Sequence, residues 1–207
     1  MDPIDLKALG GEQRRRLMLV AGLSTLAFVI GLSAGALSGS QALRADALDF
    51  AATTLAVAVS FAPVGLKPAN RVLMMLGKAA LLVLLGALVA LAAFYAFFVR
   101  ITPEPTLMGA GAVVAIAANG TVLYLLRGER VAGALRGLWI RARNDLVGSG
   151  AVLIAAGVVA LVDNSVADLT VAGVIVVLFM MEAIAALRRA LTEWDALRTG
   201  TQDWEKP

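Results

Sequence analysis

Six stretches of this chain are each long and apolar enough, or nearly so, to cross a lipid bilayer, and that repetition leaves few folds open. A helix needs about 20 predominantly apolar residues to span the hydrocarbon core. Residues 17–37, 42–62, 72–99, 107–126, 138–162 and 169–187 meet or approach that length. The third is longer than needed and can tilt, and the fifth carries Arg141, Arg143, Asn144 and Asp145 in its first third. Inside lipid every backbone N–H and C=O must be paired within the protein, so runs of this length select helices. The expected fold is all-α: a polytopic bundle of six transmembrane helices over residues 17–187, between an N-terminal segment 1–16 and a short tail 188–207.

Orientation follows from the basic residues, which collect in cytoplasmic loops. Of the 18 Lys and Arg residues, all but Arg44 and Arg100 fall on the side that also holds both termini. Both termini are therefore expected in the cytoplasm, with an even number of spans between them. Trp139, Trp194 and Trp204 lie near the same ends and read as interfacial anchors.

Composition closes off several function classes. The chain is 60% hydrophobic and 16% charged, which excludes a water-soluble domain of this size. With no Cys and no His, any bound metal must be held by oxygen. The net charge of +3 is small and scattered in short clusters, so a nucleic-acid partner is not expected. No nucleophile and base stand at a recognisable spacing, so no enzyme is expected. Gly31, Gly35 and Gly39 form overlapping GxxxG units, with Gly148, Gly150 and Gly157 in the fifth span, a pattern that fits close helix packing. Asn119-Gly120-Thr121 matches a glycosylation sequon, but its place inside a span makes the match fortuitous.

The polar residues inside the spans are few enough to take one by one. A charged side chain in hydrocarbon costs at least a few kcal/mol, so each marks a candidate site. Asp46 and Asp49 open the second span, and Thr53 follows Asp49 by four, so all three share a helical face. In the fifth span Arg141, Asp145 and Ser149 are spaced by four and also share a face. Asn119 lies in the fourth span and Glu182 in the sixth. Plainer roles exist: Asp46 beside Arg44 as an extracytoplasmic cap, Arg141 as a snorkelling anchor, Glu182 as a partner of Arg188 or Arg189. For Glu182 the plain role is adopted; Asp49 and Asp145 are expected to work across helices.

Ser40 to Asp49 (SQALRADALD) followed by Thr53, and Arg141 to Ser149 (RARNDLVGS), occur in that order with Asn119, the run Tyr124-Leu125-Leu126-Arg127, and Asp168. This ordered set resembles the cation diffusion facilitator family of divalent-metal transporters over roughly residues 17–191. That family has six membrane helices, a second-helix signature like ALLADAxHxxxD and a fifth-helix signature like HxxxDxxxS. The resemblance implies export of a divalent cation such as zinc or cadmium from the cytoplasm by proton antiport, carried out by a homodimer in a cell membrane, here a bacterial inner membrane. It aligns Asp49, Thr53, Arg141 and Asp145 with the four family ligands. Arginine stays protonated and does not ligate metals, so the usual tetrad is incomplete. Three outcomes stay open. Arg141 turns away and Asp46, Asn144 or a backbone carbonyl joins Asp49 and Asp145; or the guanidinium is an internal cation that a metal or proton must displace; or transport is lost and the fold serves a structural or partner-binding role. The expected metal site is Asp49, Asp145 and Asp46, lined by Thr53, Arg141, Asn144, Asn119 and Ser149. The family's usual C-terminal metal-sensing domain is not expected in a tail of this length.

Overall fold

The computed structural model describes residues 9–61, 68–99, 101–129 and 135–199. Among them all regular structure is helical: α1 (Gly11–Ser38), α2 (Gln41–Ser60), α3 (Pro68–Val99), α4 (Pro105–Leu125), a single 3-10 turn (Arg127–Glu129), α5 (Arg136–Val162) and α6 (Val166–Thr199). The expected six-helix architecture is present. Lys7, Lys67, Arg100, Arg130, Trp204 and Lys206, which entered the charge and anchor readings, lie outside the described residues. The last helix runs well past residue 187, to Thr199.

Five of the six helices are long and apolar enough to cross a membrane by length and composition, and α2 is the exception. Arg44, Asp46 and Asp49 within its 20 residues are the reason. Its position explains how the bundle accommodates them. Helix α2 packs against each of the other five helices, so it presents little surface to lipid. Its buried residues fall on every side of the helix, including Ala42, Leu43, Ala45, Asp46, Ala47, Leu48, Phe50, Ala51 and Thr53. Around it α1 and α4 pack together, α4 packs on α5, and α3 rests on α6.

The side chains sort by size in the way a bilayer requires. Interior contacts use Ala34, Ala42, Ala45, Ala112, Ala155, Ala156 and Ala172 with a few larger residues such as Leu43, Met108 and Phe179. Large apolar side chains face outwards, among them Leu91, Phe94, Phe97 and Phe98 on α3, Ile154 on α5 and Leu161, which is 87% exposed. Lipid offers no hydrophobic drive between helices, so close packing of small residues holds the bundle. Gly31 and Gly35 serve that purpose against α2. A Cβ on Gly31 would stand 3.2 Å from the Ala47 Cβ, and one on Gly35 would stand 3.0 Å from the Arg44 backbone nitrogen. Gly150 and Gly157 face open space and do not mark a packing seam, whereas Gly148 lies 3.5 Å, by the same measure, from an Asp46 carboxylate oxygen.

The helix ends are capped with specific partners. Gly39 closes α1 with φ 78°, a left-handed conformation that favours glycine. Arg44 reaches back to the last turn of α1, where Nε donates to the Gly35 carbonyl (3.2 Å) and Nη2 to that of Ala36 (3.5 Å). This contact replaces the pairing with Asp46 considered from the sequence. Glu104 caps α4, accepting from the Leu107 and Thr106 N–H groups at 2.6 and 2.9 Å. Those bonds, led by the one from Leu107, hold its carboxyl below the ordinary glutamate range.

Candidate functional site

Helix α2 is held at three levels by three different sets of polar groups. At its N-terminus the buried Asp168, from the first turn of α6, accepts from the Ser40 hydroxyl (2.6 Å) and from the Gln41 and Ala42 N–H groups (2.9 and 3.1 Å). Ser40 itself accepts from the Leu43 N–H at 3.0 Å. The first N–H groups of a helix have no partner within it, and a carboxylate there also complements the helix dipole. This contact fastens α2 to α6.

About one turn further along, Asp46 is 1% exposed and turns towards α5. The Ser149 Oγ lies 3.1 and 3.0 Å from its two carboxylate oxygens and 3.1 Å from the Asp145 carbonyl. A serine has one proton to donate, so it serves one of these acceptors at a time. The Asn119 Nδ2 of α4 donates to the same Oγ at 3.3 Å. Asn119, Ser149 and Asp46 thus form a buried chain across α4, α5 and α2. Asn119 is only 2% exposed and sits within that chain, which accords with reading its sequon as fortuitous.

The third level is a charge cluster. Arg141 Nη2 lies 3.1 Å from Asp49 Oδ1 on α2, Nε lies 3.7 Å from Asp145 Oδ2 one turn along α5, and Nη1 lies 2.7 Å from Glu182 Oε2 on α6. The Arg141 side chain is 16% exposed, so the guanidinium is largely removed from bulk solvent. The pairing of Glu182 with Arg141 corrects the expectation that it would pair with Arg188 or Arg189. Helices α5 and α6 are packed side by side, and that contact sets a cross-helix register invisible in either segment alone. The inward turn of Arg141 likewise answers one of the open alternatives: the residue does not snorkel away from the carboxylates.

A cavity of about 420 Å³ adjoins this cluster, between α2, α3, α5 and α6. Arg141, Asn144, Asp145 and Glu182 supply polar wall, with Lys78 and Arg189 also lining it and Ala52, Leu82 and Phe179 among the apolar side. Asp46, Asp49 and Ser149 are not among the lining residues, and among the described residues the Asp46 chain meets the Arg141 cluster only through the Ser149 contact with the Asp145 carbonyl. Thr53 is buried in α2 one turn beyond Asp49.

Among the described residues no group of three or more acidic side chains is already gathered about a point fit for a metal ion. Asp49, Asp145 and Glu182 instead each contact the Arg141 guanidinium. Three carboxylates thus share one guanidinium, and Lys78 and Arg189 stand in the wall of the adjoining cavity.

Glu182 is the residue that the sequence reading singled out but gave the wrong partner, on its own helix rather than on α5. A signal existed, since it is the acidic residue placed in the apolar body of the sixth span and Arg141 was left there without a settled partner.

No curated protein matches the sequence. The family described as the cation efflux transmembrane domain matches residues 17–193 of the 207-residue chain. Members of that family are membrane transporters of cations rather than enzymes, and the matched region covers nearly all of the helical bundle from α1 into α6. The chain belongs to the cation efflux family.

Proposed function

We propose that this protein exports a divalent metal cation, zinc or cadmium, from the cytoplasm, with Asp49 and Asp145 as the central ligands and Asp46 as an auxiliary one. The observation that supports this reading most is the cluster beside the cavity. Carboxylates from α2, α5 and α6 converge on one guanidinium, and a divalent cation would take the oxygens of Asp49 and Asp145 in its place. In this reading Arg141 is a tethered cation that occupies the site between transport events. The incoming ion displaces it from Asp49 and Asp145, and all ligands are oxygens because the chain has neither Cys nor His. Asp46 reaches the ion only after letting go of Ser149.

Proton antiport completes the cycle. Asp49 and Asp145 exchange metal for protons as the bundle opens first to one side, then to the other. The end of the bundle holding Arg14, Arg15, Arg16, Arg71, Arg188 and Arg189 is the cytoplasmic one, with both termini there, by the excess of basic residues. The transporter works as a homodimer in a bacterial inner membrane.

A second reading has one observation in its favour, the guanidinium seated between the carboxylates. In it Arg141 is a permanent structural bridge and the protein keeps the fold without transporting. Uptake of zinc and cadmium into proteoliposomes separates the two. The transport reading expects flux in the wild type and its loss in Asp49→Ala and Asp145→Ala. Unchanged flux in both variants would refute the site assignment, and no flux in the wild type would leave the structural bridge as the better account.

A further inference from the structure

We infer that Glu182 is a positioning residue for Arg141, a carboxylate that keeps hold of the guanidinium while a divalent cation takes Asp49 and Asp145. This rests on the transport reading above and adds to it a residue outside the expected ligand set.

The three contacts of the guanidinium are unequal. Its Nη1 is 2.7 Å from Glu182, its Nη2 3.1 Å from Asp49, and its Nε 3.7 Å from Asp145, with no hydrogen-bond partner for Nε among the described residues. The grip is therefore tightest on the α6 side and loosest on α5. An arginine cannot be neutralised by losing its proton, so one displaced from a buried carboxylate must find another anion or leave an unpaired charge in a poorly solvated wall. Glu182 already holds one nitrogen. Leaving Asp49 is then a rotation about an existing contact rather than a release.

The surroundings leave room for that rotation. Glu182 is 66% exposed and lines the same cavity of about 420 Å³ as Arg141 and Asp145, so the guanidinium can shift along its wall. Charge counting agrees. With all groups ionised and a divalent cation bound, Asp49, Asp145, Glu182 and Arg141 sum to zero; without Glu182 they carry one positive charge.

The test is zinc chloride binding to the purified full-length protein by calorimetry, comparing wild type, Glu182→Gln, Glu182→Asp, Arg141→Ala and the double variant Arg141→Ala with Glu182→Gln. Glu182→Gln should weaken zinc binding about tenfold in the presence of Arg141 and less than about threefold in its absence, a coupling of the size seen between contacting charged groups. Glu182→Asp, which keeps the charge, should recover much of the loss. Equal weakening by Glu182→Gln in both backgrounds would make Glu182 a ligand and overturn the inference, as would no weakening with Arg141 present; in either case wild-type zinc binding leaves the transport reading standing. Absence of zinc binding in the wild type would overturn both.

Discussion

The two polar contacts that tie α2 to α6 have opposite characters. At the N-terminus of α2, Asp168 receives three donors at 2.6 to 3.1 Å and is buried. Further along, Asp49 and Glu182 share one guanidinium whose Nε has no hydrogen-bond partner, beside an open cavity. One carboxylate with a full set of donors makes a joint; three carboxylates competing for one cation make a contact that can be exchanged. The comparison shows where such a bundle can afford to move. A charge placed against backbone N–H groups is fixed by the helix itself, whereas a charge placed against a long side chain is only as fixed as that side chain.

The largest expected effect tests the exchangeable contact. Arg141→Ala removes the guanidinium that Asp49, Asp145 and Glu182 share, and removal of one partner from a buried ion cluster costs about 3–5 kcal/mol. Thermal unfolding in detergent should fall accordingly, and zinc should restore much of the loss by supplying the missing charge. A loss that zinc leaves untouched would mean the carboxylates do not form a cation site. Next comes the joint. Asp168→Ala strips the Ser40 hydroxyl and two N–H groups of a charged acceptor and should cost about 3 kcal/mol, with no recovery on adding zinc. If zinc rescued this variant as well, the contrast between the two contacts would collapse.

Smaller effects sharpen the picture between these contacts. Gly35→Ala places a Cβ 3.0 Å from the Arg44 backbone nitrogen, so α1 and α2 must separate at a cost of about 2 kcal/mol. Gly150→Ala, which meets nothing within 4 Å, is the control and should melt like the wild type. Smallest is Asn119→Ala, which removes one donor from the Ser149 and Asp46 chain. Interhelical hydrogen bonds within membranes contribute about 0.6 kcal/mol on average, so its effect should be of that order in denaturant titrations.

Much of the fold was legible because lipid imposes a length and a backbone rule that six apolar stretches obey. The ends were less legible: α6 continues to Thr199, where the chain is polar and helix-forming but no longer apolar. The site was legible in part. Spacing by four placed Arg141, Asp145 and Ser149 on one face, but two of them join the charge cluster and the third turns to Asp46, since one face of α5 meets different neighbours at different heights. The partner of Glu182 was missed for a related reason, because it lies on another helix and only the packing of α5 on α6 brings the two together. Asp168 matched a family position in the sequence, while its work as a cap for α2 depends on the N-terminus of a helix more than a hundred residues earlier in the chain.

The central place of α2 bears on how the protein is made. A segment carrying Arg44, Asp46 and Asp49 is a poor substrate for insertion by itself, since each such residue near the middle of a helix opposes membrane entry by about 2.5–3.5 kcal/mol. Its neighbour α1 is strongly apolar, and Gly39-Ser40 joins the two with almost no slack. In the finished bundle each of these charges is answered from a different neighbour, Arg44 by the α1 carbonyls and Asp46 and Asp49 by Ser149 and Arg141 of α5, so α2 depends on its partners for its place in the membrane.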